Sequence, residues 1–139
     1  MCEVRALIRD LASSDASIRD RSALTLMDIG DERAVEPLFR AITKPENINH
    51  RGTLVYALSA FNCEAFVEVL VDIVLTGSFE VSITAFSIIA DSITSPESLM
   101  QMQAQLLKFD KNMLSADHHH EAYQELLELA ASVSDGYEQ

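Results

Sequence analysis

The apolar residues of this chain recur with a period of 32, and that period limits what the chain can fold into. Ile29-Gly30-Asp31-Glu32-Arg33-Ala34-Val35-Glu36-Pro37-Leu38 joins two apolar-periodic segments. The same layout returns at Phe61-Asn62-Cys63-Glu64-Ala65-Phe66-Val67-Glu68-Val69-Leu70, and more weakly at Ile93-Thr94-Ser95-Pro96-Glu97-Ser98-Leu99. Leu26, Leu58 and Ala90 are 32 apart, as are Ile29, Phe61 and Ile93. Val35, Leu38 and Ile42 correspond to Val67, Leu70 and Val74, then to Leu99, Met102 and Leu106. Each of these sets has i, i+3, i+7 spacing, which makes one apolar stripe on a helix. One helix pair cannot bury such stripes from both sides, whereas stacked neighbours can.

The pattern predicts helices over 3–12, 16–29, 32–43, 47–61, 64–76, 79–93, 96–109 and 117–133. Short connections between them imply antiparallel neighbours. Asp15, Asn47 and Ser78 are placed to cap the first helix of each repeat, because their side-chain oxygens accept orphan N–H groups. Asp31 and Ser95 do the same for the second helices, with Cys63 as a weak equivalent. Gly30 suits a tight helix exit. Pro45 and Pro96 stand where helices begin, and Pro37 lies in a first turn, where its missing N–H costs little.

Arg21-Ser22-Ala23-Leu24-Thr25-Leu26-Met27-Asp28-Ile29-Gly30-Asp31, followed by Ala34-Val35-Glu36-Pro37-Leu38, resembles a HEAT repeat of the short bacterial, phycobilisome-lyase type. The likeness covers roughly residues 13–107; it is strongest in the first repeat and weakest in the third. It implies an all-α fold, a right-handed α-α superhelix (a HEAT-like solenoid) of about eight antiparallel helices. Residues 1–139 then form one domain, with repeats near 13–45, 46–77 and 78–109 and terminal helices over 1–12 and 115–134. The resemblance also implies a protein-binding scaffold, although some relatives are lyases or DNA glycosylases, so the repeat does not fix the function.

Charge narrows the choice of partner. The formal net charge is −12, unevenly spread. Residues 1–51 hold eight Lys/Arg and nine Asp/Glu; residues 52–107 hold no Lys or Arg and six acids; residues 108–139 hold two bases and seven acids. Duplex nucleic acid is disfavoured as a partner, since binding it needs cations that displace condensed counterions. A basic protein surface is the complementary expectation. Two cysteines, Cys2 and Cys63, do not make a disulfide framework. Met1-Cys2-Glu3-Val4-Arg5 leads into mixed charge rather than an apolar run, and the apolar stretch Val81–Ile93 is short and interrupted by Asp91. A cytoplasmic protein without membrane association is expected.

Glu64, Glu68 and Asp72 have i, i+4, i+8 spacing and share one helix face. Glu32 and Glu36 are their period equivalents in the previous repeat, with Arg40 in place of Asp72. In HEAT-like arrays the second helices line the concave face, so the resemblance turns these five acids into a concave binding surface. The third repeat carries Pro96, Met100 and Ala104 instead, and the ladder fades there. An ordinary solvated helix face is the alternative reading.

His118-His119-His120-Glu121 contains metal-ligating residue types, but consecutive helical residues point about 100° apart, so three adjacent histidines rarely meet one ion. His120-Glu121 resembles the His-Glu pairs of HEAT-type deoxyhypusine hydroxylases, which need several such pairs. A polar helix start is the plainer reading, and no metal or cofactor is expected. Arg19, Arg21 and Arg51 read as partners in structural ion pairs with Asp20, Asp28 or a neighbouring acid, with a phosphate-binding patch as the alternative. The final helix offers Tyr123, Leu126, Leu127, Leu129, Ala130 and Val133 as its apolar side and Glu121, Glu125 and Glu128 outside, with a frayed tail over 134–139. No Gly-rich phosphate loop, Ser/His/Asp arrangement or Cys-based metal motif is present.

The expected function is therefore that of a non-enzymatic HEAT-like adaptor. It would use an acidic concave surface formed by Glu32, Glu36, Glu64, Glu68 and Asp72 to bind a basic protein. A specific alternative is an immunity protein that covers the active site of a cognate bacterial toxin. A HEAT-like lyase or metal-dependent enzyme is the weaker one.

Overall fold

Helix limits follow the apolar period closely in a computed structural model of the chain, which describes residues 2–109, 112 and 114–137, without the side chains of Cys2 and 132–137. Among the described residues the chain is all-helical, with no strand. The α-helices are α1 (Cys2–Asp10), α2 (Ala16–Ile29), α3 (Val35–Thr43), α4 (Gly52–Ala57), α5 (Val67–Thr76), α6 (Phe79–Ser92), α7 (Pro96–Lys108) and α8 (Asp117–Tyr137). Short 3-10 turns extend three of them: Glu32–Ala34 leads into α3, Leu58–Ala60 continues α4, and Glu64–Phe66 leads into α5.

The described residues form nine helical segments, one more than the eight expected. The extra one is the 3-10 segment Pro45–His50. Asn47 does not cap the fourth helix. It is buried, and its Nδ2 donates to the Ala41 carbonyl at 2.8 Å, closing the end of α3 instead. The following helix starts five residues later, at Gly52, without a side-chain cap.

The other polar caps form as the sequence predicts. Asp15 accepts the Ser17 N–H at 2.8 Å, Asp31 the Arg33 N–H at 2.9 Å, and Ser95 the Ser98 N–H at 3.2 Å. Ser78 accepts the Val81 N–H at 3.4 Å. Cys63 makes no side-chain cap. Gly30 ends α2 at φ 72°, in the left-handed region, and its N–H reaches the Leu26 carbonyl at 2.9 Å.

Contacts divide the chain into two compact units, Met1–Asn62 and Cys63–Gln139. In the first, α2 packs against α1 and α4, and α3 against α4. Leu26, Leu38, Ile42, Leu54 and Leu58 are fully buried there. In the second, α5 is central and packs against α6, α7 and α8. Its residues Val67, Leu70, Val71, Ile73, Val74 and Leu75 are all buried. Burying one such side chain stabilises the fold by roughly 1.5–3 kcal/mol. The exposed residues of α5 are the stripe Glu68, Asp72 and Thr76, with Val69 half-buried beside it.

The second-helix register holds: Leu38 and Ile42, then Val67, Leu70 and Val74, then Leu99, Met102 and Leu106 are buried, and only Val35 is half-exposed. The first-helix register does not hold throughout. Ile29 is 43% exposed, because it is the last residue of α2 and points out at the Gly30 exit. Ala90 is exposed, and Ile89 takes the buried position in α6. The offset from Leu58 is thus 31 rather than 32, and a one-residue shift turns a helix face by about 100°. Met100 is likewise exposed.

Polar groups fix the second unit internally. Ser82 Oγ donates to the Val74 carbonyl at 2.7 Å, and Ser92 Oγ accepts the Cys63 N–H at 3.1 Å; both bonds are buried. Tyr123 Oη donates to the Leu106 carbonyl at 3.1 Å, joining α8 to the end of α7. Tyr123, Leu126 and Ala130 are buried and Leu127 and Leu129 half-buried, while Glu121, Glu125 and Glu128 are exposed. The Val133 side chain lies outside the described residues, and α8 continues to Tyr137 where the sequence predicts a frayed tail from 134.

Candidate functional site

The five acids singled out in the sequence have different surroundings. In the first unit Glu32 is exposed at the start of its 3-10 turn. Glu36 is exposed one turn on, and its Oε1 accepts from Arg40 Nη2 at 2.6 Å. The i, i+4 ion pair partly neutralises this face, at a stabilisation of only about 0.3–0.5 kcal/mol for so exposed a pair.

In the second unit Glu64 has a structural role. Its Oε2 accepts the N–H groups of Thr94 and Ser95, each at 3.2 Å. These backbone bonds hold its carboxyl below the usual carboxylate range. Glu68 and Asp72 are brought together on the one polar stripe of α5, and Asp72 Oδ1 accepts from Gln105 Nε2 of α7 at 2.8 Å. The exposed acids of α5 itself are therefore Glu68 and Asp72, with Gln105 of α7 bonded to Asp72.

The histidines are not a simple polar helix start. His119 is buried, 4% exposed, and His118 is half-buried. Both Nε2 atoms meet the Gly77 carbonyl, at 3.0 Å from His118 and 2.7 Å from His119. A carbonyl only accepts, so both rings carry the proton on Nε2. The rings lie 4.1 Å apart, and His118 meets Phe79 edge-on at 5.7 Å. His120 points to solvent. Among the described residues no group of three or more His, Cys, Asp or Glu side chains is arranged to hold a metal ion. A groove of about 250 Å³ runs between α6 and α8, with Phe79, Ile83 and Phe86 on one side and His118, Glu121 and Glu125 on the other.

The arginines depart from the expected ion pairs. Among the described residues the ion pairs are Arg33–Asp31 and Arg40–Glu36, and neither involves Arg19, Arg21 or Arg51. Arg21 is exposed. Arg51 is half-buried, its Nε lacks a hydrogen-bond partner, and burial pushes its pKa down. Arg19 is 5% exposed.

Sequence reasoning overlooked the burial of Arg19 and His119, although a signal was there. Arg19 shares the stripe of Ser22, Ala23 and Leu26 on α2. His119 shares that of Ala122, Tyr123, Leu126 and Ala130 on α8. Both sit at helical spacing from core residues, where a polar group is buried if it finds a partner.

Compared with known proteins, the chain matches no family model, and no curated protein is significantly similar to it. Among the described residues no helix is long and apolar enough to cross a membrane.

Proposed function

We propose that this protein is a HEAT-like repeat adaptor that binds a basic protein surface through exposed acidic helix faces. The repeat resemblance of residues 13–107, the caps and the buried second-helix register all support this reading. One observation carries the functional part. On α5 six apolar residues are buried and Val69 is half-buried, and the remaining stripe presents Glu68 and Asp72 to solvent. The surrounding charge has the same sign: residues 63–139 hold thirteen Asp/Glu and two Lys/Arg. Such a field raises the encounter rate with a cationic partner and disfavours acidic ones.

The right-handed superhelix, the participation of Glu32 and Glu36 as well as Glu68 and Asp72 in binding, and a cytoplasmic location are parts of the same proposal. Glu64 belongs to the surface only at its edge, because Thr94 and Ser95 occupy its carboxylate. The small size and the net charge of −12 also suit an immunity protein that covers the active site of a basic toxin.

Affinity capture on the full chain in its own cells tests the adaptor reading. A partner with a basic surface, released by moderate salt, supports it; an acidic partner, or one held unchanged in high salt, contradicts it. Inhibition of a captured nuclease at stoichiometric ratio would select the immunity version.

A further inference from the structure

In the first unit, a polar cleft of about 390 Å³ lies between the α1–α2 connection and the Lys44–His50 segment. Its lining includes Ser14, Arg19, Lys44, Glu46 and His50. Arg19 is 95% buried, the complement of its 5% exposure. Its Nη1 donates to the Ser13 carbonyl at 2.8 Å, and its Nε has no hydrogen-bond partner. Neither Arg19 nor Lys44 forms an ion pair among the described residues, and Glu46 is the one carboxylate in the lining.

A buried guanidinium without a counter-charge is costly, because desolvation is repaid only by an anion and by hydrogen bonds to the remaining N–H groups. Arg19 is anchored by one bond and leaves donors unused. Lys44 adds a second positive charge at the same cleft, while Ser14 and His50 add further donors. The concentration of cations is notable in a chain of net charge −12.

We infer that this cleft binds a phosphoryl group carried by a small molecule. A guanidinium–phosphate contact is among the stronger charge-assisted hydrogen bonds, and a second cation at the same cleft suits a doubly charged oxyanion better than a singly charged carboxylate. The cleft exceeds what inorganic phosphate fills, so a small phosphomonoester has room for its organic part. The site goes beyond the adaptor reading and does not depend on it, since it shares no residue with the acidic face.

The test is titration of the full chain with inorganic phosphate at constant ionic strength, followed residue by residue in amide NMR spectra. Saturable shifts confined to residues 12–19 and 44–50 are expected, with acetate far weaker. Lys44→Gln weakens binding by about tenfold or more, as loss of one charge-assisted contact does. Arg19→Gln abolishes binding if that variant folds; His50→Gln, at an exposed position, gives a milder loss whether or not it does. Lys108→Gln, outside the cleft, leaves binding unchanged. Non-saturable shifts, equal binding of acetate, or unaltered binding by Lys44→Gln would overturn the assignment.

Discussion

Glu64 accepts the backbone N–H of Ser95 at 3.2 Å, across 31 residues of chain, and holds the start of α7 against the turn that precedes α5. The same oxygen accepts the Thr94 N–H. A residue spaced like a surface acid thus closes a helix entry. Its carboxyl is held below the usual range, so the folded state binds a proton less readily than the unfolded state does. The stabilisation is present above the unfolded carboxylate range and is lost as pH falls through the lowered folded value. Urea unfolding of wild type and Glu64→Gln across acidic pH checks this: the stability gap narrows as pH drops, and a gap independent of pH contradicts the role.

Gly77 is confined by its neighbours. A Cβ there would lie 2.7 Å from the Ile73 carbonyl oxygen and 2.8 Å from Val81 Cγ1. Gly77→Ala therefore destabilises the protein by about 1–3 kcal/mol through overpacking. At Gly30 a Cβ meets nothing within 4 Å, but φ is +72°. Gly30→Ala costs about 1–2 kcal/mol from backbone strain alone. Denaturant midpoints separate the two, because Gly30→Asn recovers much of the loss at the left-handed position and Gly77→Asn recovers nothing.

The helices were largely readable in the sequence because capping and apolar spacing are local and act on the same segments. Asp15, Asp31, Ser78, Ser95 and Gly30 state their roles through neighbours two to four residues away. Asn47 misled, because its side chain turned back to the Ala41 carbonyl rather than forward to the next helix. The candidate site was less readable. Whether a polar residue on a helix is solvated or tied down depends on partners far along the chain, as at Glu64 with Ser95 and His119 with Gly77, and spacing alone does not carry that.

His119 and His118 share the Gly77 carbonyl, but only His119 is buried. His119→Ala removes a buried hydrogen bond and leaves a cavity, costing about 2–4 kcal/mol. His118→Ala costs less, about 1 kcal/mol, because the Gly77 oxygen keeps its His119 donor. Thermal unfolding of both variants checks the order, and equal losses would contradict the unequal burial.

Cys63 is fully buried, and burial pushes its thiol up to about 11. Only the thiolate attacks an alkylating agent, so Cys63 stays unmodified at neutral pH in the folded protein. In a Cys2→Ser background, iodoacetamide labelling followed by mass spectrometry should show Cys63 reacting only in denaturant. Rapid labelling without denaturant contradicts the burial.

The central claim is that the acidic stripe of α5 makes the contact with a basic partner. The affinity of the captured partner for the double variant Glu68→Lys, Asp72→Lys, compared with wild type at the same ionic strength, tests it most directly. Reversing two charges at such a contact is expected to weaken binding by about a hundredfold, mainly through slower association and with a reduced salt dependence. The fold should be unchanged, since both side chains are exposed. Equal affinity of the folded double variant and wild type would contradict the account.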